Sequence, residues 1–292
     1  MYPPKFDYYR AGTLAEAVAL LQQHPGAKVL AGGHSLIPAM KLRLADPGTL
    51  IDIGRIADQG DPFVNRAGGW DISALATHAQ IQRTVAGQGF EAVAETAAGI
   101  GDPQVRNRGT IGGNIAHADP ASDWPAVLVA FRAIIQVVGQ DGQREIAADD
   151  FFVDLFQTAL QEDEIITRIR VPALNAPSNS GVGSAYAKME NPASRYSLVG
   201  AAAVVQVENG VCRQASVAVG GLTPKATRAS SVEAALTGQP LNADSIQAAA
   251  AKIVDDLGDE VNGDIHASAD YRRAMAPIFV ARALTAAVER AG

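Results

Sequence analysis

The residues best suited to chemistry lie in the run Arg106-Asn107-Arg108-Gly109-Thr110-Ile111-Gly112-Gly113-Asn114-Ile115. Three glycines within five residues let the backbone come close to a ligand or take positive φ, which a side chain would prevent. Thr110 and Asn114 add short polar groups able to bond a ligand's oxygens or nitrogens. An earlier stretch has the same character: Val29-Leu30-Ala31-Gly32-Gly33-His34-Ser35-Leu36. There an apolar run, read as a buried strand, ends in two glycines, and Ser35 stands where a helix N-cap would, ahead of a helix from Leu36 to Leu44. Strand, glycine turn and helix start together predict an anion site, because free N–H groups and the helix dipole converge on one spot. Two such loops on one chain predict a long ligand held at two places.

The rest of the composition narrows the class. At 292 residues, 48% apolar and 19% charged, the chain is long enough for two domains with a substantial core and is not a disordered protein. A net charge of −7 argues against a general nucleic-acid surface. No apolar run reaches the length of a transmembrane segment, and Lys5, Asp7 and Arg10 interrupt any signal-peptide core, so the reading is cytoplasmic. Cys212 is the single cysteine; it cannot form an internal disulfide, and an iron–sulfur cluster needs about four thiolates. The histidines His24, His34, His78, His117 and His266 show no paired ligand spacing. His117-Ala118-Asp119 comes nearest and is read as loop, so no metal site is expected.

The elements that must position the two loops follow from pattern. Thr13-Leu14-Ala15-Glu16 reads as a capping box opening a helix that Pro25-Gly26 ends, and strands are predicted at Val29 to Ala31, Leu50 to Ile53 and Trp70 to Leu75. Thr77-His78-Ala79-Gln80 caps a short helix, and Phe90 to Ala98 makes another. Gly99-Ile100-Gly101-Asp102-Pro103 lacks the third glycine of a dinucleotide fingerprint, and Pro103 breaks the helix that motif requires; no GxxxxGK[ST] is present either. A helix is expected near Ser122, then strands at Ala133 to Val138, Arg144 to Ala147 and Ile165 to Val171. Pro172 to Ser180 reads as a linker. Beyond it, Gly181 to Lys188, Ala201 to Glu208 and Val211 to Val219 read as strands, the last two joined by the hairpin signal Asn209-Gly210. Helices at Ser231 to Leu236, Ala243 to Leu257 and Ala269 to Arg290 complete an α+β pattern.

Taken with Phe6-Asp7-Tyr8, Ala118-Asp119-Pro120-Ala121-Ser122-Asp123 and Asp270-Tyr271-Arg272-Arg273, the two glycine loops resemble the FAD-binding medium subunits of the molybdenum hydroxylases, the carbon monoxide dehydrogenase and xanthine dehydrogenase family. The resemblance runs from end to end. It implies an α+β fold: an FAD domain of the vanillyl-alcohol-oxidase type, residues 1–175, made of two α/β subdomains, then a small α+β domain, residues 176–292. It further implies FAD as the cofactor, with its pyrophosphate on Ala31, Gly32, Gly33, His34 and Ser35 and with Leu36 as an adjoining contact. Thr110, Ile111, Gly112, Gly113 and Asn114 would lie by the pyrophosphate and flavin, and Asp123 would bond the sugar part. Ile100, Gly101, Ile166 and Lys188 are further expected contacts, and Tyr196 is expected to cover the flavin ring, with Tyr186 competing for that role.

The implied function is an electron-transfer subunit. A molybdopterin-binding large subunit would oxidise substrate, a small subunit would carry two [2Fe-2S] clusters, and this chain would pass electrons from them through FAD to an external acceptor, in a dimer of heterotrimers. No catalytic acid or base is expected on the chain. The one-cysteine count fits this division, since any clusters must come from elsewhere. A stand-alone flavin oxidase or dehydrogenase of the same FAD-domain superfamily is the alternative, and a scaffold without flavin chemistry is a third reading. Each residue also has a plain structural alternative. Gly32-Gly33 could be an ordinary turn, Gly112-Gly113 a close-packing device, and Asp123 a cap for a helix at Trp124. Lys188 and Arg195 could be solvated charges, and Tyr196 a core or interface aromatic.

Overall fold

Three β-strands, β1 (Asp7–Arg10), β2 (Lys28–Leu30) and β3 (Thr49–Asp52), form a parallel sheet in the order β1-β3-β2. The helix α1 (Leu14–Gln23) covers it, burying Ala17, Val18 and Leu21 in a cluster with Ile51 and Ile53. The computed structural model describes residues 2–56, 58, 60–174 and 180–292. The middle of the predicted linker Pro172 to Ser180, and with it the predicted boundary at 175/176, lies outside the described residues. At the start of α1, Thr13 accepts from the amide of Glu16 at 3.1 Å, while Glu16 reaches back to the amide of Gly12 at 2.7 Å instead of to the cap's own. The predicted capping box therefore closes one residue early. The following helix, α2 (Leu36–Lys41), is shorter than the predicted Leu36 to Leu44, and the chain turns away at Arg43 with φ 63°.

The second subdomain is built on β4 (Phe63–Arg66) and β5 (Gly69–Ser73), the helices α3 (His78–Val85), α4 (Glu91–Gly99), α5 (Pro103–Arg106), α6 (Ile111–His117) and α7 (Trp124–Ala130), and the hairpin of β6 (Ile134–Gly139) and β7 (Gly142–Ala147). A short α8 (Ala148–Phe151) and the small ladder of β8 (Phe152–Asp154) and β9 (Gln157–Thr158) lead to β10 (Ile165–Val171). The last strand inserts at the centre, giving an antiparallel sheet in the order β4-β5-β10-β6-β7. Against one face of it pack Ile81, Val93, Ile111, Ile115, Trp124 and Leu128. β4 is absent from the predicted strands because Asn65 and Arg66 face solvent at the sheet edge and leave no apolar alternation to read.

The C-terminal domain is a four-stranded antiparallel sheet of β11 (Ser180–Glu190), β12 (Ser197–Glu208), β13 (Val211–Gly220) and β14 (Thr227–Arg228). Asn209 and Gly210 both take positive φ, 52° and 74°, as a type I′ hairpin requires. The helices α9 (Ser230–Leu236), α10 (Ala243–Ala250), α11 (Ile253–Asp256) and α12 (Ala269–Ala291) cover the sheet, α12 burying Phe279, Val280 and Leu284 in the shared core. The helix predicted from Ala243 to Leu257 is thus two helices, broken at Ala251-Lys252. The architecture is the predicted α+β one, with a larger N-terminal unit of two subdomains and a smaller C-terminal unit.

Candidate functional site

The two glycine loops touch. A Cβ on Gly32 would collide with the carbonyl oxygen of Arg108 and stand 2.9 Å from Cα of Gly109. Only a glycine at 32 lets the turn after β2 lie against the turn before α6. His34 steadies the first turn by bonding its Nδ1 to the carbonyl of Gly32 at 3.0 Å. Ser35 occupies the predicted N-cap position of α2 but makes no side-chain capping bond there.

The second loop is largely helical, which the sequence reading did not anticipate. Thr110 is the N-cap of α6 and accepts from the amide of Gly113 at 3.2 Å, so Ile111, Gly112, Gly113 and Asn114 lie in its first turns. The amides of Ile111 and Gly112 donate to the carbonyls of Ala76 (3.0 Å) and Ala74 (2.9 Å), anchoring the helix start to the chain after β5. Gly112 is a close-packing residue there, for a Cβ would come 2.8 Å from the oxygen of Ala74. Ile111 is fully buried in the core. Gly113 is exposed, and a Cβ on it would lie 3.9 Å from that of Ala31. Ala31 and Gly113 are therefore neighbours, one from each loop. Asn114 turns aside to accept from Ser122 Oγ at 2.5 Å.

Behind the loops sits His78, which the sequence marks only as part of a helix-capping motif. It is 2% exposed, and Nδ1 accepts the indole N–H of Trp124 at 3.1 Å. Burial, then the charges of Arg106 and His34, lowers it from 6.5 to about 4, so the ring is neutral with its proton on Nε2. That nitrogen would stand 2.9 Å from a Cβ on Gly109, which accounts for the glycine.

Asp123 precedes α7 without capping it; its carboxylate points across to the second domain instead. Tyr186 donates to Oδ1 at 2.6 Å and Lys188 pairs with Oδ2 at 3.0 Å. All three are withdrawn from water, and burial raises the Asp123 carboxyl against the pull of Lys188 and Tyr186. Burial, then the Asp123 charge, holds the Tyr186 hydroxyl well above the usual phenol range. Lys188 spends its other two donors on the carbonyls of Gly99 (3.0 Å) and Arg195 (2.8 Å). Arg106, the first residue of the motif, bonds the carbonyls of Ile100 (3.0 Å) and Gly101 (2.8 Å). The segment between Asp119 and Asp123 is tied to the same domain, with Ser197 and Gly221 donating to Ala121 and Pro120.

The two tyrosines differ in kind. Tyr186 lies in β11 with its hydroxyl committed to Asp123. Tyr196 stands on the loop between β11 and β12, 44% exposed, at the rim of a cleft of about 240 Å³ lined also by Asp119, Asn191, Ser194 and Arg272. Ile166, a residue of β10, is 5% exposed and packs in the core; its neighbour Thr167 accepts from the amide of Ala74, so this strand supports the α6 start. Leu36 opens α2 half-buried.

Comparison with known proteins covers the whole chain. Residues 4–174 match the FAD binding domain in molybdopterin dehydrogenase, and residues 184–287 match the CO dehydrogenase flavoprotein C-terminal domain. The carbon monoxide dehydrogenase medium chain of Hydrogenophaga pseudoflava is 38% identical over 99% of this chain and 99% of its own. The glyceraldehyde dehydrogenase medium chain of Sulfolobus acidocaldarius is 35% identical over 97% and 98%. A solved structure of carbon monoxide dehydrogenase from Hydrogenophaga pseudoflava, a form lacking the Mo-pyranopterin moiety, superposes with a TM-score of 0.93 at 40% identity, covering 100% of both chains.

Proposed function

Because the chain belongs to the family of FAD-binding medium subunits of molybdopterin dehydrogenases, we propose that it is the FAD-carrying electron-transfer subunit of a molybdenum hydroxylase. It accepts electrons from [2Fe-2S] clusters on a small partner, fed by a molybdopterin-binding large partner, and hands them to an external acceptor. The observation that carries this reading is the contact of Gly32 with Arg108-Gly109, which merges two glycine loops into one cradle. The residues present fit the cofactor: Gly32 admits the backbone of Arg108-Gly109 where a Cβ would collide, and the exposed Gly113 leaves open the space beside Ala31, from whose Cβ its own would stand 3.9 Å. Bound FAD supplies the redox chemistry and the capacity to join carriers of different kinds.

The chain's own contribution is position and environment. Ala31 to Ser35 would hold the pyrophosphate, Leu36 would be a further contact, Thr110, Gly113 and Asn114 would lie by the pyrophosphate and flavin, and Ile100-Gly101 would border the cofactor. Ile111 and Gly112 act from beneath by fixing where α6 begins, with Thr167 bonding Ala74 below them and Ile166 beside it in the core. Asp123 and Lys188 join the two domains at the site's edge, and the exposed ring of Tyr196 is the one free to lie over the flavin. A division into residues 1–175 and 176–292 is supported by the two family matches on either side of it. With one cysteine in the sequence, the clusters belong to partners, in a complex we take to be a dimer of heterotrimers. Among the described residues no helix is long and apolar enough to cross a membrane, and we place the protein in the cytoplasm.

The test is a tagged pull-down from the native host with flavin, iron and molybdenum assayed in the eluate. Two further chains with iron and molybdenum are the expected result. Flavin on this chain alone, in a preparation that still oxidises a small molecule, would replace the reading with a stand-alone flavoenzyme.

A further inference from the structure

Three consecutive carbonyls, those of Gly99, Ile100 and Gly101, are each held by a cationic side chain. Lys188 takes the first at 3.0 Å, Arg106 the second at 3.0 Å and the third at 2.8 Å, and Arg195 Nη1 also donates to the third at 3.3 Å. Arg106 belongs to the N-terminal unit, whereas Lys188 and Arg195 come from the C-terminal one. A trans peptide whose oxygen is engaged on one side presents its N–H to the other. Among the described residues neither the amide of Gly101 nor that of Asp102 has a protein acceptor. The turn is thus clasped through its oxygens, with its donors left over.

Arg195 is built for this contact at some cost. Its φ is 61°, a left-handed conformation unfavourable to a residue with a side chain. The conformation is fixed from three directions: its amide donates to Asn191 at 2.8 Å, its carbonyl takes Lys188 at 2.8 Å, and its guanidinium divides between Gly101 and Glu190 at 3.3 Å. Strain that is over-determined in this way marks a functional constraint. The next residue in the chain is Tyr196.

We propose that Arg195 is a positioning residue for the cofactor, acting through the Gly101 carbonyl it shares with Arg106, so that the loop bearing Tyr196 and the turn Gly99–Asp102 are held as one unit. The inference rests on the reading that this turn borders FAD. Movement of the loop then changes the cofactor's surroundings from two sides together, at the turn and at the Tyr196 ring.

The test uses the full chain stripped of FAD and titrated back, with the flavin off-rate followed by fluorescence and the apo melting temperature recorded. Arg195→Gly deletes the guanidinium while relieving the backbone strain; Arg195→Ala deletes it without relief; Arg195→Lys keeps the charge. Loss of a charge-assisted bond of this exposure is expected to raise the off-rate about tenfold in both deletions. The glycine variant should melt at or above the wild type, and lysine should restore part of the affinity. An unchanged off-rate in Arg195→Gly overturns the proposal, and so does a loss of FAD that merely tracks a lower apo melting temperature. Failure of the wild-type chain to bind FAD is a separate outcome and removes the proposed function itself.

Discussion

Trp124 donates its indole N–H to Nδ1 of His78 across 3.1 Å, and this one bond sets the tautomer of a buried imidazole behind the meeting point of the glycine loops. Its value falls from 6.5 when unfolded to about 4 in the fold, mainly through burial. The unfolded chain therefore binds the extra proton, so the stability contributed by a neutral His78 is complete above 6.5 and is lost as pH falls toward 4. At pH 5 the loss amounts to about 2 kcal/mol. Urea melts at pH 7 and pH 5 should show that His78→Gln, which cannot charge, has a pH-dependent stability loss smaller by about that amount. An equal acid response in wild type and variant would refute the assignment.

Gly32 should be the least replaceable residue of the first loop. Gly32→Ala drives a methyl group into the carbonyl of Arg108 and must part the two loops. Gly33 has φ 74°, but a Cβ there meets only side-chain carbons of Ile37 and Leu30 at 3.3 Å. Asparagine tolerates such a φ, so Gly33→Asn should keep most of its flavin. The flavin-to-protein absorbance ratio after gel filtration separates the two: an FAD affinity loss of more than about tenfold is expected for Gly32→Ala. Full flavin in Gly32→Ala would show that loop contact is not what forms the cradle.

The pair of Asp123 and Lys188 joins the domains with both side chains under one-tenth exposed. Lys188→Met strands a buried carboxylate and should cost about 3–5 kcal/mol. Adding Asp123→Asn removes that charge and should recover a good part of the loss. Strict additivity in the double-mutant cycle would mean the two residues are not energetically coupled.

Tyr196→Ala should leave the melting temperature within about 1 °C, since the ring is 44% exposed and in no core cluster. Iodide quenching of flavin fluorescence should rise in the same variant. Tyr186→Phe should do the reverse, lowering stability by removing a 2.6 Å bond to a buried carboxylate while leaving quenching unchanged. A quenching change in Tyr186→Phe alone would exchange the two roles.

Local chemistry made much of the frame legible. Asn209-Gly210 announces its hairpin, Ile165 to Val171 alternates and β-branches as a strand should, and Thr77 with Gln80 forms the full capping box. The helix α6 was hidden because Gly112 and Gly113 are poor helix formers, and what overrides them is remote: the carbonyls of Ala74 and Ala76 receive its first amides. The loops themselves were readable from glycine spacing, but their contact was not, since Gly32 and Arg108 are far apart in the chain. The same holds for Lys188, whose acceptors Gly99, Asp123 and Arg195 are gathered only by the fold. A lone lysine in a strand carries no trace of such a role.

The place of β10 has a consequence for biosynthesis. It pairs with β5 on one side and β6 on the other, and the carbonyl of Thr167 holds Ala74, which in turn receives the first turn of α6. A ribosome that has delivered residues 1–160 has therefore released both glycine loops but not the strand that seats the second. Sheet closure across so long a stretch of chain is slow compared with local helix formation. On the proposed FAD site, flavin capture becomes a late event of synthesis, and a chain released before Ile165 should emerge colourless and open to proteolysis.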